Sequence, residues 1–146
     1  MLFTSIDAAH VLGITTGRLR EWFVRGYIRS YHPPRGSGTR LKFSEDDLYF
    51  AALYKKLIDF GMNREAAKKL TEKLSISSVT QKEAFVVFVT GEKKQEPVAL
   101  EIIGMIGIQK FLMENCGRWI HYHIIDLQKI RNIIDNGVEY ITETKA

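Results

Sequence analysis

The stretch that decides the fold is Ile14–Ile28, ITTGRLREWFVRGYI. Thr15 is a capping hydroxyl ahead of a run in which Leu19 and Phe23 stand four apart, so a helix over 16–25 with an inward stripe at those two positions is expected. Arg18, Trp22 and Arg25 fall at i, i+4 and i+7 on a neighbouring flank, and Gly26 ends the helix. Upstream, Thr4-Ser5 caps a short helix over 5–12 with Ile6, Ala9, His10 and Leu12, and Gly13 is its stop. Two short helices joined by Gly13-Ile14-Thr15 make a helix-turn-helix pattern, whose second helix suits a major groove about 12 Å wide.

Just beyond lies Ser30–Arg40, SYHPPRGSGTR, where two prolines fix φ and Gly36 and Gly38 permit a tight reversal. It joins Tyr27-Ile28 to the alternating run Arg40–Phe43, which reads as a β-hairpin with a basic tip. Beside a helix-turn-helix such a hairpin is a wing: its glycines let backbone amides approach a phosphate, and Arg35, Arg40 and Lys42 add charge and donors. Charge is distributed accordingly. The chain of 146 residues carries only net +4, yet residues 15–42 hold seven basic residues against Glu21 alone, while 76–146 is net −1. Such a patch attracts polyanions through its field and through counterion release.

Ser44-Glu45-Asp46-Asp47 opens a third helix with Asp47 in the capping-box position, running through Leu48, Ala51, Leu57 and Phe60 to Gly61. Asn63-Arg64-Glu65 opens a fourth, through Ala67, Leu70 and Leu74. The polar stretch 75–83 is the expected domain boundary, separating a DNA-binding domain at 1–75 from a module at 84–146. There the period changes: Phe85–Val89 and Val98–Ile103 are apolar strands joined by a polar connection, Gly104 and Gly107 loosen the chain after them, and Ile108–Cys116 suits a short helix. Arg118–Ile125 is a third strand, and Asp126 caps a last helix with Leu127, Ile130, Ile134, Val138 and Ile141 on one stripe. The expected fold class is α+β: an N-terminal winged helix-turn-helix, then a small three-stranded module closed by a helix.

Residues 3–70 resemble the winged helix-turn-helix domain of the mercury-resistance regulator (MerR) family. The likeness rests on Ile14, Thr15, Leu19-Arg20, Trp22 and Gly26-Tyr27-Ile28, then on "FSEDDL" and "LIDFGMNREAAKKL" as wing exit, third helix and fourth helix. It implies that Arg20, Trp22 and wing residues from Arg35 to Lys42 contact phosphates or a groove. Glu21 and Phe23 stand where that family usually has an aromatic and a glutamate. The family's long dimerisation helix has no counterpart here, the α+β half standing in its place. Paired cysteines like those of the family's metal sites are also missing, since Cys116 is the single cysteine.

The expected function is that of a sequence-specific transcriptional regulator of double-stranded DNA. Its contact set is Thr15, Thr16, Arg18, Arg20, Trp22, Arg25, Arg35, Thr39, Arg40 and Lys42. Arg18 and Arg25 suit base edges or phosphates alike, and Trp22 suits packing or a phosphate-facing indole N–H equally. An excisionase-like or chromosome-organising role on the same head is the alternative. Homodimerisation through the C-terminal half is expected, with the last helix as partner surface and any small-molecule effector open. His121 and His123 share a strand face, but nothing is spaced to complete a metal site, so packing or exposure is preferred for both. Cys116 reads as a small buried hydrophobe and Glu101 as a solvated strand residue. With no phosphate-binding glycine loop or nucleophile elbow, neither catalysis nor a cofactor is expected. With no long apolar run and no signal-like start, the expected location is cytoplasmic, at the nucleoid when DNA-bound.

Overall fold

The structure, a computed structural model, describes residues 1–31, 36, 40–74, 84–90, 98–116 and 121–146, with backbone alone at 88–90, 98–99 and 121–122. It is an α+β fold. By contacts the chain divides into two compact units, Met1–Lys68 with Asn132–Ala146, and Lys69–Arg131.

The first unit begins with β1 (Phe3–Thr4), α1 (Ser5–Leu12) and α2 (Thr16–Val24). Thr4 accepts the Asp7 N–H at 3.3 Å while its own N–H donates to the Asp7 carboxylate at 3.0 Å, closing a capping box at the head of α1. Gly13 stops that helix at φ 63°, a left-handed conformation that a side chain resists. β2 (Lys42–Phe43) leads into α3 (Glu45–Asp59), whose Ser44–Asp47 box has the same form. The expected hairpin strands are rearranged. Tyr27-Ile28 is not a strand, and β2 pairs antiparallel with β1, Phe3 opposite Phe43, both fully buried. Ile28 is buried without entering a ladder, and the pairing of β1 with β2 instead buries two phenylalanines in register. α4 (Arg64–Lys73) comes next, its residues to Lys68 belonging to this unit.

The second unit contains β3 (Ala84–Thr90), β4 (Val98–Ile103), α5 (Gly104–Glu114) and β5 (His121–Asp126). β3 is central in the order β4-β3-β5 and antiparallel to both neighbours. β4 and β5 therefore run parallel, and α5 is the crossover between them. Period two sorts the sheet: Val87 and Phe85 pack with Ile108, Phe111 and Leu112 of α5, while Val86 and its register partner Ile125 are buried on the other face. Gly107 does not loosen the chain as expected. It lies within α5, where a Cβ would sit 2.8 Å from Ile102 Cγ2, so its lack of a side chain is what lets the helix approach β4. Cys116 is exposed beyond the end of α5, not buried as expected, since it follows the Asn115 cap and takes no place on the helix's packed face.

α6 (Leu127–Lys145) carries the expected apolar stripe, with Ile134 and Ile141 buried. Its residues from Asn132 belong with the first unit and not with a self-contained module at 84–146. Four contacts explain this. A Cβ at Gly137 would meet Val11 Cγ1 at 3.0 Å, Tyr140 stacks on His10 at 5.5 Å, Lys145 donates to Asp7 at 2.6 Å, and the Tyr49 hydroxyl bonds Asp135. The stripe expected to serve a partner is thus covered from within the chain.

Burial works to raise the Asp7 pKa, but hydrogen bonds from Lys145 and Thr4 outweigh it, so the carboxyl sits below its ordinary value. A depressed carboxyl adds stability above its unfolded pKa of 3.8 and loses it as pH falls through the folded value. Lys145→Ala should lower the melting temperature slightly at pH 7, because the ammonium is half exposed and screened, and the difference should close as pH falls through the depressed pKa of the folded Asp7 carboxyl. Gly137→Ala should lower it more, by about 1–3 kcal/mol of overpacking against Val11 despite alanine's better helix propensity. Thermal unfolding followed by circular dichroism checks both.

Candidate nucleic-acid interface

Thr15 caps α2, accepting the Arg18 N–H at 3.2 Å, so the helix begins where the sequence places it. Its rotation differs. The inward residues are Leu19 and Trp22, each fully buried, whereas Phe23 is only half-buried and lines a surface cleft. Tyr54 of α3 decides this by meeting the Trp22 indole edge-on at 5.1 Å and stacking on Tyr27 at 5.8 Å. Burying an indole against two aromatics gains more than burying one phenyl ring at position 23. Burial also pushes the Tyr54 hydroxyl well above its ordinary pKa.

Trp22 is therefore not a surface contact. Its Nε1 is buried and has no hydrogen-bond partner among the described residues, so the indole cannot donate to a phosphate from this position. What it does is support Arg18, whose guanidinium lies over the ring at 5.0 Å.

The outward residues of α2 fall into two groups. Thr16, Gly17, Arg20, Phe23 and Val24 line the cleft together with Ser5 and Ile6 of α1 and Gly36 and Leu41 of the wing segment. On the flank, Glu21 pairs with Arg25 at 3.3 Å and with Arg64 of α4 at 3.2 Å. Arg20 takes no part in that cluster and keeps its charge for the cleft. Arg40 and Lys42 are exposed, while Arg35 and Thr39 lie outside the described residues. The structure thus brings Thr16 and Arg20 into one cleft and sets Arg18 and Arg25 on its flank.

Sequence reasoning missed Ile6, Val24 and Arg64. The spacing of Glu21 and Arg25 signalled their pair. Nothing local signalled Arg64, 43 positions away. Among the described residues no group of three His, Cys, Asp or Glu side chains is placed to hold a metal ion, and His123 is exposed.

Trp22→Ala should cost about 3–5 kcal/mol of stability. Urea unfolding should show that loss, with Trp22→Phe retaining most of it. No curated protein matches the chain. Residues 3–74 match the family model described as MerR HTH family regulatory protein, so this segment is a MerR-like helix-turn-helix.

Proposed function

We propose that the protein is a sequence-specific regulator of transcription that binds double-stranded DNA, with α2 in the major groove and the wing, 29–42, on the flanking backbone. One observation carries the reading. The side of α2 left open by Leu19 and Trp22 presents Thr16, Gly17 and Arg20 in a single cleft, at the helix whose flanks are rich in arginine. A base edge entering that cleft meets a guanidinium, a hydroxyl and backbone uncluttered at Gly17. Arg20 suits bidentate bonding to guanine, and Thr16 suits several bases. Arg18, Arg25, Arg40, Lys42 and Arg64 then act as backbone contacts that set register. The family match over 3–74 supports this reading.

Gly17 supports it as well. A glycine inside a helix is costly relative to alanine, and a Cβ there would meet only Thr15 Oγ1, at 4.0 Å. Among the described residues nothing crowds this place, whereas close approach of a duplex favours glycine there. One such head covers few base pairs, so the regulator works as a homodimer on two half-sites. Its pairing surface is not the buried stripe of α6. No helix among the described residues is long and apolar enough to cross a membrane, which agrees with a cytoplasmic, nucleoid-associated regulator.

The test is selection of sites from a random duplex pool, followed by titration across salt concentrations. The logarithm of affinity should fall by about 0.9 per neutralised phosphate for each unit of log salt. Arg20→Ala should weaken the selected site by about 1–3 kcal/mol and relax its sequence. Gly17→Ala should raise stability by about 0.5–1 kcal/mol while weakening binding. A compact two-fold site supports the regulator, and cooperative spreading along DNA would replace it with an architectural role. Affinity indifferent to salt and to Arg20 would reject DNA binding.

A further inference from the structure

Two residues of the cleft are out of character for a solvated surface. Ile6 is 72% exposed and Val24 is 73% exposed, and both line the same cleft as Arg20 and Thr16. Phe23 and Leu41, half-buried, continue the apolar lining. Single exposed aliphatic residues need no explanation, but two on one cleft beside a guanidinium make an apolar patch with a polar rim, which marks a recognition surface. Neither residue serves the core. Leu19, Trp22, Ala8 and Ala9 fill it from the same two helices.

Resting on the DNA-binding reading above, we propose that Val24, with Ile6 beside it, is a specificity-determining residue that reads the C5-methyl group of a thymine next to the position contacted by Arg20. The occupant is set by chemistry. A duplex presents few apolar groups in its major groove, and the thymine methyl is the one that aliphatic side chains read. The arginine-rich surroundings draw in a polyanion, and the match to a regulatory helix-turn-helix family agrees with a duplex in that role. Arg20 supplies a polar contact for one base and Val24 an apolar contact for its neighbour, so the cleft discriminates a two-base step. Because Val24 is solvent-exposed, truncating it removes a contact without opening a cavity.

The experiment uses the full chain and the duplex recovered by selection, with each thymine replaced singly by deoxyuridine, which removes only the methyl. One replacement should weaken binding about four-fold, the effect of burying a single methyl. Val24→Ala should bind the thymine and uracil duplexes equally, with its salt slope and melting temperature unchanged. Ile6→Ala should reduce the same discrimination in part. If the wild type binds thymine and uracil duplexes alike at every position, the proposal falls, although DNA binding stands. Discrimination persisting at the same thymine in Val24→Ala overturns the assignment to Val24. If no duplex is selected and no salt-dependent binding occurs, the underlying reading fails and takes this one with it.

Discussion

The rotation of α2 about its own axis is the constraint on which the rest of the molecule depends, and burial of Leu19 and Trp22 sets it. Complete burial of a large apolar side chain stabilises by roughly 1.5–3 kcal/mol. Turning the helix by one residue, about 100°, would put the indole in water. Phe23, which that turn would bring inward, is the smaller ring and offsets only part of that loss. Thr16, Arg20 and Val24 are therefore outward because Leu19 and Trp22 are inward, and the position of Tyr54 on α3 fixes the choice.

The frame around α2 is built from local chemistry. Two capping boxes, Thr4 with Asp7 and Ser44 with Asp47, come directly after the two paired strands, so one ladder anchors the starts of both α1 and α3. Each box satisfies donors that a helix start would otherwise leave to water. Electrostatics then divides labour on the α2 surface. Glu21 pairs with both Arg25 and Arg64, bringing the two guanidinium groups together on the surface and lowering the local positive charge. Among the described residues that line the cleft, Arg20 is the cationic side chain.

Much of this was legible in the sequence, and where it was not, the missing information was nonlocal. Helix starts and stops at Thr15, Ser44, Gly13 and Gly61 are encoded within a turn or so of chain, so capping rules find them. Two strands of the second unit announce themselves by apolar runs, β3 unbroken and β4 interrupted only by Glu101. In α2, Phe23 and Trp22 compete for the inward position at equally good spacing, and the winner is chosen by Tyr54, a residue of another helix far along the chain. The pairing of Phe3 with Phe43 was hidden for a similar reason, a two-residue strand being too short to show a period. The apolar stripe of α6 was visible, but its partner was not. Periodicity reveals that a face is buried and says nothing about what buries it.

The docking of α6 also bears on biosynthesis. Asp7 and Lys145 are 138 positions apart, and the segment that reaches α1 emerges from the ribosome only after the whole helix-turn-helix has been made. Until then the surface around Val11 that receives Gly137 stands open, and the nascent head exists without one of its walls. Closing so long a loop is slow, and an incompletely covered apolar surface invites non-native association in the interval. Premature termination between the end of α4 and residue 132 would release a head that possesses α1 to α4 but lacks the segment that finishes its packing.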